Sequence, residues 1–248
     1  MNLSRKWLSE FVSVEADDKE FAESMTLSGS KVELTHDLGA EIQNVVVGKV
    51  LSMEHHPDSD HMWVCQIDVG REEPVQIVTG AWNIHEGDLV PVALHKSTLP
   101  GGVKITKGKL RGVPSNGMMC SFQELGLSHG CVPYACENGI LFLPAGTPVG
   151  EDIKKVLGLD DWVSDFEITS NRPDCLSVIG LARETAATFD RPFSVKTPEV
   201  KGVGDDINKY MSVEVKDTDL CPRYTARIVK NIKIEPSPAW MRERLHAC

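Results

Sequence analysis

The sequence has no acidic residue over one long stretch, although the chain as a whole is acidic. Its 248 residues include 26 Lys and Arg against 36 Asp and Glu, which gives a formal net charge of -10. Nevertheless, no Asp or Glu lies between Asp88 and Glu124. A negative net charge argues against a protein that binds nucleic acid over its whole surface, but it is compatible with one basic face. The acid-free stretch is therefore the first candidate for a binding surface.

Long apolar runs are also missing. The first residues, MNLSRKWLSEFVSVE, contain none long enough for a signal peptide, and no later segment is long enough to span a bilayer. The seven cysteines are odd in number and lack the spacing of a disulfide framework. We therefore expect a cytoplasmic protein that contacts no membrane. The chain is long enough for one large domain or two ordinary ones.

Enzyme and metal motifs are scarce. There is no P-loop, dinucleotide fingerprint or nucleophile elbow, so no residue receives a catalytic role. Cys131 and Cys136 lie near His129, but a zinc site needs four ligands in closer pairs, which favours two free thiols in a loop. The stretch HHPDSDH, residues 55–61, favours a turn whose Asp side chains bind nearby backbone amides over a metal site. No metal ligand is predicted.

Apolar periodicity predicts helices on both sides of a β-rich middle. Near the start, Ser4 and then Asp17 or Asp18 are predicted to cap two short helices, followed by the strand KVELTHDL. From residue 45 to about 144, short runs rich in β-branched residues predict a small barrel or sandwich. GILFLP is predicted there as a strand and FQELGL as a short helix. After Gly150 the pattern predicts a helix in EDIKKVLGL, a strand in DWVSDFEI and an amphipathic helix after NRPDC.

The chain changes character again after about residue 195. KTPEVKGVGDDINK is rich in Pro, Gly and charge and is typical of a linker. YMSVEVKD and RYTARIVKNIKI alternate as strands do, and Ser237 with Pro238 is predicted to open a last helix, PAWMRERLHAC. Two strands and one helix are too few to bury their own apolar faces. We therefore expect the chain to stop within a domain.

The acid-free stretch contains a basic run, KITKGKLRGVPSNGMM, residues 104–119. Its Gly-rich part offers backbone amides and short polar side chains, which suit phosphate and sugar oxygens. Trp63 and Trp82 precede it on predicted strands and are either stacking surfaces for unpaired bases or core residues. A charge run can also be a merely solvated face. The residues predicted to bind RNA are Lys96, Lys104, Lys107, Lys109, Arg111, Ser115 and Asn116.

Several separated blocks resemble a known family. Residues 45 to about 126 resemble the tRNA-binding OB-fold module in the blocks HPDSD, VCQIDVG, IVTGAWN, KGKLRGVPSNGMMCS and ELGL. The flanking segments MNLSRKWLSEFV, ITSNRPDCLSVIGLARE and CPRYTARIVKNIKI resemble the N-terminal part of bacterial phenylalanyl-tRNA synthetase β subunits. The resemblance covers essentially the whole chain.

The resemblance implies an α+β protein: a small α/β N-terminal domain with an inserted OB-fold β-barrel, followed by the truncated start of a further α/β domain. The implied boundaries are 1–39 with 152–195 for the first domain, 40–151 for the barrel, and 205–248 for the incomplete editing-type domain. The family works as an α2β2 enzyme that uses ATP and Mg²⁺ to attach phenylalanine to tRNA(Phe). This part of it is expected to bind tRNA and the α subunit, to hold no cofactor and to be non-catalytic alone.

The resemblance also adds possible RNA contacts and one rival hypothesis. With His61 and Asn83 added to Trp63 and Trp82, the possible RNA contacts are His61, Trp63, Trp82 and Asn83. The chain departs from the usual pattern where His61 and Met62 stand in place of Lys-Leu, where Thr79 replaces a frequent Cys, and in the longer loop HGCVPYACENG. The lost lysine favours a rival in which the module is a structural arm for subunit contacts and no longer binds RNA.

Overall fold

A computed structural model describes all residues, 1–248, and divides them into two compact units. The first unit contains Met1–Ser194 and Pro238–Cys248, and the second contains Val195–Ser237. The strands are β1 Asn2–Ser4, β2 Val32–Asp37, β3 Gln43–His55, β4 Trp63–Asp68, β5 Val75–Thr79, β6 Leu89–Leu99, β7 Val103–Ile105, β8 Gly108–Leu110, β9 Val113–Ser115, β10 Gly117–Met119 and β11 Trp162–Phe166. The helices are α1 Arg5–Leu8, α2 Asp18–Leu27, α3 Ile153–Val156, α4 Val178–Thr188 and α5 Ala239–His246. None of these helices combines the length and apolar character needed to cross a membrane.

The predicted helix caps are present. Ser4 Oγ accepts a hydrogen bond from Trp7 N at the start of α1, and the side chain of Asp17 accepts one from Glu20 N at the start of α2. Ser177 caps α4 in the same way. A side-chain oxygen at this position satisfies a backbone N–H that the helix itself leaves free. Gly29 follows α2 with φ of 106°, a left-handed conformation that ends the helix.

Residues from both ends of the first unit form one small sheet. β11 lies between β1 and β2 and is antiparallel to both. Helices α1, α2 and α4 supply most of the other side chains of a core that is separate from that of the β-rich middle. The buried members of this core are Leu3, Leu8, Val12, Phe21, Met25, Phe166, Cys175, Val178, Leu181, Ala182 and Ala186.

The β-rich middle is a curled antiparallel sheet in the order β10-β6-β3-β4-β5, with β7 paired to β6. The 13-residue β3 pairs with β6 through its first half and with β4 through its second, so that the sheet bends along it. The register of β3 and β6 shifts near Asn44 and Lys96, which have φ of 58° and 67°. Bulges of this kind bend a strand and increase its twist.

The two ends of this sheet meet around a common core. Asn116 N, between β9 and β10, donates to Gln76 O on β5 at 2.9 Å, and Gln76 Nε2 donates to Pro114 O at 2.7 Å. The interior contains two neighbouring apolar clusters, one of which includes Ile153 and Leu159 around α3. The chain is therefore a mixed α/β protein whose curled sheet is consistent with an OB-like fold. The finer domain boundaries stay a prediction.

Two local predictions in the β-rich region are wrong. GILFLP is not a strand: Leu141 N and Leu143 N donate to Cys120 O and Leu89 O, so this extended segment bonds with two different elements instead of one ladder. FQELGL forms turns, with Leu125 N and Leu127 N both donating to Phe122 O. Gly126 has φ of 71°, which a continuing helix cannot accommodate.

The second unit, Val195–Ser237, contains one 3-10 turn, Ile207–Lys209, and no strand, contrary to the prediction for YMSVEVKD and RYTARIVKNIKI. Ile234 is fully exposed and Val229 is 76% exposed. Alternating apolar residues form a strand only when a neighbouring strand and an apolar face receive them. The last helix forms as predicted, but α5 belongs to the first unit, where Arg242 Nε donates to Cys131 O at 2.9 Å.

Candidate nucleic-acid interface

The predicted cations lie on consecutive elements of the chain, from β6 and β7 of the curled sheet to the separate two-stranded β8–β9 ladder. We call Lys96, Lys104, Lys107, Lys109 and Arg111 the basic strip. Lys96 is on β6, Lys104 is on β7, Lys109 is on β8, Lys107 immediately precedes β8, and Arg111 follows it. All five side chains are exposed.

No cation of the basic strip forms an ion pair, whereas other cations of the first unit do. Lys31 pairs with Glu33 and Glu167, and Lys155 pairs with Glu151 at 3.0 Å. Those carboxylates raise the pKa of both lysines through hydrogen bonds and charge. The sequence supplies no carboxylate between Asp88 and Glu124, and no carboxylate from elsewhere in the chain pairs with the strip. Its charges remain available to a phosphate backbone.

Arg111 is at the tip of a short hairpin. Leu110 pairs with Val113 across the β8–β9 ladder, and the two residues between them, Arg111 and Gly112, have φ of 45° and 86°. Positive φ at both central residues is the pattern of a type I′ turn, which matches the twist of the strands. An arginine in this region is sterically unfavourable, and surrounding contacts must hold it there.

The HHPDSDH segment is a turn, as predicted, but its bonding is different. No Asp side chain forms the turn; instead, His56 Nδ1 accepts from Asp58 N at 3.0 Å, and Ser59 N donates to His56 O. The other ring nitrogen, His56 Nε2, lies 3.0 Å from Leu110 O at the hairpin tip. Arg111 Nη1 donates to Asp58 O at 2.9 Å. The turn and the tip are therefore connected by two hydrogen bonds.

Ser115 is a correction to the predicted interface. Its side chain is buried, and its Oγ accepts from Val78 N and donates to Gly117 O, each at 3.1 Å. The hydroxyl therefore joins β5 to the connection between β9 and β10 and has no free donor for RNA. Asn116 is partly exposed, and only its backbone N–H has a bond, to Gln76 O. Its carboxamide stays a predicted RNA contact.

Asn83 is a second correction. It is buried, Nδ2 donates to Ile140 O, and Oδ1 accepts from Ile140 N, both at 3.0 Å. The neighbouring Trp82 is 69% exposed and lies in the loop after β5, not on a strand. Trp63 is half-buried on β4 and packs against His55 with ring centroids 4.0 Å apart. His61 is exposed in the turn after His56. Trp82, Trp63 and His61 stay predicted contacts.

Sequence reasoning missed the role of His56 in this region. Its ring is buried with 3% exposure, whereas the predicted contact, His61, is exposed. The available signal was its position before Pro57 at the first residue of a turn, where a side chain often bonds a backbone amide two residues later. The partner at Leu110 is 54 residues away and could not be inferred from local sequence.

Two further clusters offer reactive groups. Asp174, Cys175 and Glu184 lie close enough to hold a cation, but Arg172 Nη2 already donates to all three. Cys131 Sγ lies 3.3 Å from His246 Nδ1, and Cys136 is exposed. Burial raises the pKa of the Cys120 thiol to about 12 and that of Cys65 to about 11, so both are poor nucleophiles.

Comparisons with known proteins show which sequences this chain resembles. The family model described as "Putative tRNA binding domain" matches residues 45–152. The phenylalanine–tRNA ligase beta subunit of Clostridium acetobutylicum is 56% identical over 246 residues, 99% of this chain and 30% of that protein. The corresponding subunit of Clostridium tetani is 52% identical over 249 residues, again 99% of this chain and 30% of that protein. These matches confirm the resemblance stated from the sequence.

A solved structure, the C-terminal domain of Plasmodium vivax p43, is 27% identical and covers 47% of this chain and 61% of its own. Its TM-score of 0.32 is too low to support a conclusion about the fold. The chain spans about 30% of the length of the curated relatives that it matches.

Proposed function

We propose that this chain, which resembles phenylalanine–tRNA ligase β subunits over almost its whole length, is a tRNA-binding and assembly part of such a subunit. In this proposal it binds tRNA(Phe) and supports ATP- and Mg²⁺-dependent attachment of phenylalanine in the cytoplasm by an α2β2 enzyme. The α subunit supplies the aminoacylation site and the cofactor contacts. The arrangement of the domains, with a barrel inserted into a small α/β domain, is part of the same proposal.

The observation that carries the proposal is the basic strip. Five exposed cations without an ion-pair partner lie on one section of an otherwise acidic chain. Leaving several like charges unpaired and close together is unfavourable unless an anion neutralises them. A nucleic-acid backbone is such an anion, and its phosphates are contacted mainly by Lys, Arg and backbone amides.

Without Ser115 and Asn83, the proposed RNA interface contains fewer residues but keeps its cations. Ser115 and Asn83 hold the barrel together and are not RNA contacts in the proposal. The remaining residues are the basic strip, Asn116 and three neighbours with exposed or half-exposed rings. These neighbours are His61, Trp63 and Trp82. Trp82 has the largest free ring surface and is the proposed stacking residue.

The rival function is a structural arm that no longer binds RNA. The comparisons do not favour it, because the matched family model is a tRNA-binding one. The two functions lead to opposite expectations for the basic strip. In the proposal its charges support tRNA binding, whereas in the rival they have no effect on tRNA affinity. A salt titration separates them, because each phosphate contact contributes about 0.7 to 0.9 to the slope of log affinity against log salt concentration.

The test is charge reversal of Lys104, Lys107, Lys109 and Arg111 to Glu. We expect weaker binding of any tRNA and a salt slope that is smaller by two or more, because about three phosphate contacts are lost. The matched control reverses four exposed cations of the second unit and changes the net charge by the same amount. The control residues are Lys201, Lys216, Arg223 and Lys233. Equal slopes in the two folded variants would refute the proposal and support the structural arm.

A second test concerns aminoacylation. The proposal expects no synthesis of Phe-tRNA by this chain alone, since the sequence contains no ATP-binding motif. Purified chain, tRNA(Phe), phenylalanine and ATP are mixed with and without α subunit and full-length β subunit. Aminoacylation by the chain alone would contradict the assignment of a purely supporting role.

A further inference from the structure

We infer that His56 is a positioning residue for RNA binding, which holds the hairpin tip and its Arg111 in place. This inference rests on the proposed function and adds to it a residue that does not itself touch RNA. His56 is buried with 3% exposure, and the ring has no free edge for a ligand. Any effect of His56 on RNA affinity must therefore pass through the residues that it contacts.

The bonds of His56 fix its tautomer. Nε2 faces the carbonyl oxygen of Leu110 at 3.0 Å, and an oxygen acceptor requires a proton on Nε2. Nδ1 accepts from Asp58 N at 3.0 Å and must therefore be unprotonated. A neutral imidazole with the proton on Nε2 satisfies both contacts at once. One bond stays within the turn, and the other crosses to the hairpin tip.

The second crossing bond joins the same two segments in the opposite direction. Arg111 Nη1 donates to Asp58 O at 2.9 Å. His56 thus holds Leu110, while Asp58 holds the guanidinium of the next residue. Because His56 Nδ1 also fixes Asp58 N, one side chain orients both ends of this small network.

The hairpin needs this support because few other contacts hold it. β8 pairs only with β9, and each strand has three residues. All three residues of β8 are exposed. Isolated two-stranded hairpins are marginally stable in water. β9 is held from the other side by Gln76 Nε2, which donates to Pro114 O. The start of β8 is held by Lys107 N, which donates to His95 Nδ1 at 3.0 Å, and its far end by the link from His56 to Leu110 O.

A fixed tip binds an anion more tightly than a mobile one. Lys109 is on β8 and Arg111 is at the tip, so motion of the tip moves two cations of the basic strip. Ordering them upon binding costs conformational entropy, which a preorganised tip has already lost on folding. Arg111 also occupies a left-handed conformation, φ 45°, that is retained only under constraint. The turn-to-tip network supplies the constraint.

Two amide substitutions separate the two functions of the ring. In His56→Asn, Oδ1 takes the place of Nδ1 and accepts from Asp58 N, but nothing reaches Leu110 O. In His56→Gln, the side-chain amide takes the place of Nε2 and donates to Leu110 O. Both replacements are polar and neutral, so they keep the charge of the turn. The first variant removes the link to the tip, and the second retains it.

The experiment measures tRNA affinity as a function of salt, using the chain itself, for wild type and both variants. We expect His56→Asn to weaken binding roughly tenfold and to lower the salt slope by about one, the effect of one lost phosphate contact. His56→Gln should restore affinity to within about threefold of wild type. Amide hydrogen exchange without RNA should be faster at Arg111 and Gly112 in His56→Asn and close to wild type in His56→Gln.

The outcomes distinguish this inference from the proposed function. If the wild-type chain binds tRNA with a steep salt slope but His56→Asn binds equally well, the inference is wrong and the proposed function stands. If the four-residue charge reversal has no effect, the proposed function fails, while the exchange measurement still reports on the tip. Loss of cooperative unfolding in His56→Asn would also overturn the inference, because His56 would then stabilise the whole barrel.

Discussion

The carboxamide of Asn83 bonds with both backbone groups of Ile140: Nδ2 donates to the carbonyl oxygen and Oδ1 accepts from the N–H, each at 3.0 Å. The two residues are 57 positions apart. The pair joins the loop after β5 to the extended segment around Ile140, which packs in the core of the curled sheet. Both residues are buried, so water cannot replace either bond. The bidentate contact substitutes for the strand ladder that the segment around Ile140 lacks.

Asn83→Ala should therefore lower the free energy of unfolding by about 2 to 3 kcal/mol, because it leaves a buried N–H and a buried carbonyl unpaired. Urea unfolding measures the change. The matched control is Trp82→Ala, one residue earlier and exposed, which should change stability by less than about 0.5 kcal/mol. tRNA affinity should respond in the opposite order, with the larger loss in Trp82→Ala. A folded Asn83→Ala variant with wild-type stability and weak RNA binding would restore Asn83 as an RNA contact.

Lys96 combines a charge of the basic strip with a φ of 67° in the bulge of β6. Lys96→Asn and Lys96→Val both remove the charge, but Asn tolerates this backbone region and a β-branched residue does not. We expect both variants to weaken tRNA binding equally. Lys96→Val should also lose about 1 to 2 kcal/mol of stability, whereas Lys96→Asn should lose none.

Thermal or urea unfolding and a tRNA titration at one salt concentration measure the two effects separately. Unequal RNA affinities in the two folded variants would show that backbone geometry at Lys96, and not its charge, supports binding. Equal stabilities would show that the bulge relaxes when its side chain is changed.

Local signals in the sequence were sufficient for elements that are stabilised locally. Ser4 and Asp17 cap helices through a bond to an amide three residues later, which sequence spacing reveals directly. The strands β3 to β6 were predicted because β-branched runs broken by turn residues are typical of strands. The basic strip could also be predicted, because its cations and the absence of acidic residues around them are visible in consecutive residues of the sequence.

Features that depend on distant partners could not be predicted. Ser115 and Asn83 are polar residues in Gly-rich surroundings, which normally indicates exposure, and only Val78 and Ile140 show that they are buried and bonded. The link between His56 and Leu110 is of the same kind. The alternating residues after 205 favour strands, but the chain provides no neighbouring strand to pair with them.

We expect the stability of the folded chain to depend on pH through the carboxylate of Asp174, which lies shortly before α4. Arg172 donates to both carboxylate oxygens, at 3.1 and 2.8 Å, and this hydrogen bonding lowers the pKa of Asp174 to about 2 from an ordinary value of 3.8. Because the folded-state pKa is the lower one, the contribution to stability is complete above about pH 4. It is lost as the pH falls from 3.8 towards 2.

The measurement compares urea unfolding of wild type and Asp174→Asn between pH 2 and 7. Wild type should be more stable at neutral pH, and the difference should shrink as the pH falls below 4. Arg172→Met should remove the same pH-dependent difference. A difference that persists unchanged at pH 2 would show that Asp174 contributes through its shape and not through its charge.

The last prediction concerns the proposed discontinuous domain, in which β11 from the second segment pairs with β1 and β2 from the first. Asp37 of β2 pairs with Trp162 of β11, and Leu38 N donates to Asp161 O at 3.0 Å. The chain therefore leaves this sheet and returns to it at adjacent positions. Residues 39–160 can be replaced by Asn-Gly, a two-residue turn suited to antiparallel neighbours. The boundaries implied by the resemblance place α3 in the small domain, but α3 is removed here as well, because Ile153 and Leu159 pack in the apolar cluster of the curled sheet.

We expect residues 1–38 and 161–194, joined in this way, to fold as a small domain with cooperative urea unfolding. Its core is complete, since every residue of the apolar cluster that contains Phe21, Phe166 and Leu181 lies within these two ranges. At about 70 residues, it should be only marginally stable. The matched control deletes 41–150 and keeps α3, which exposes Ile153 and Leu159 and should cause aggregation. A non-cooperative first variant beside a soluble, cooperative control would mean that α3 belongs with the small domain and that the insertion ends before residue 152.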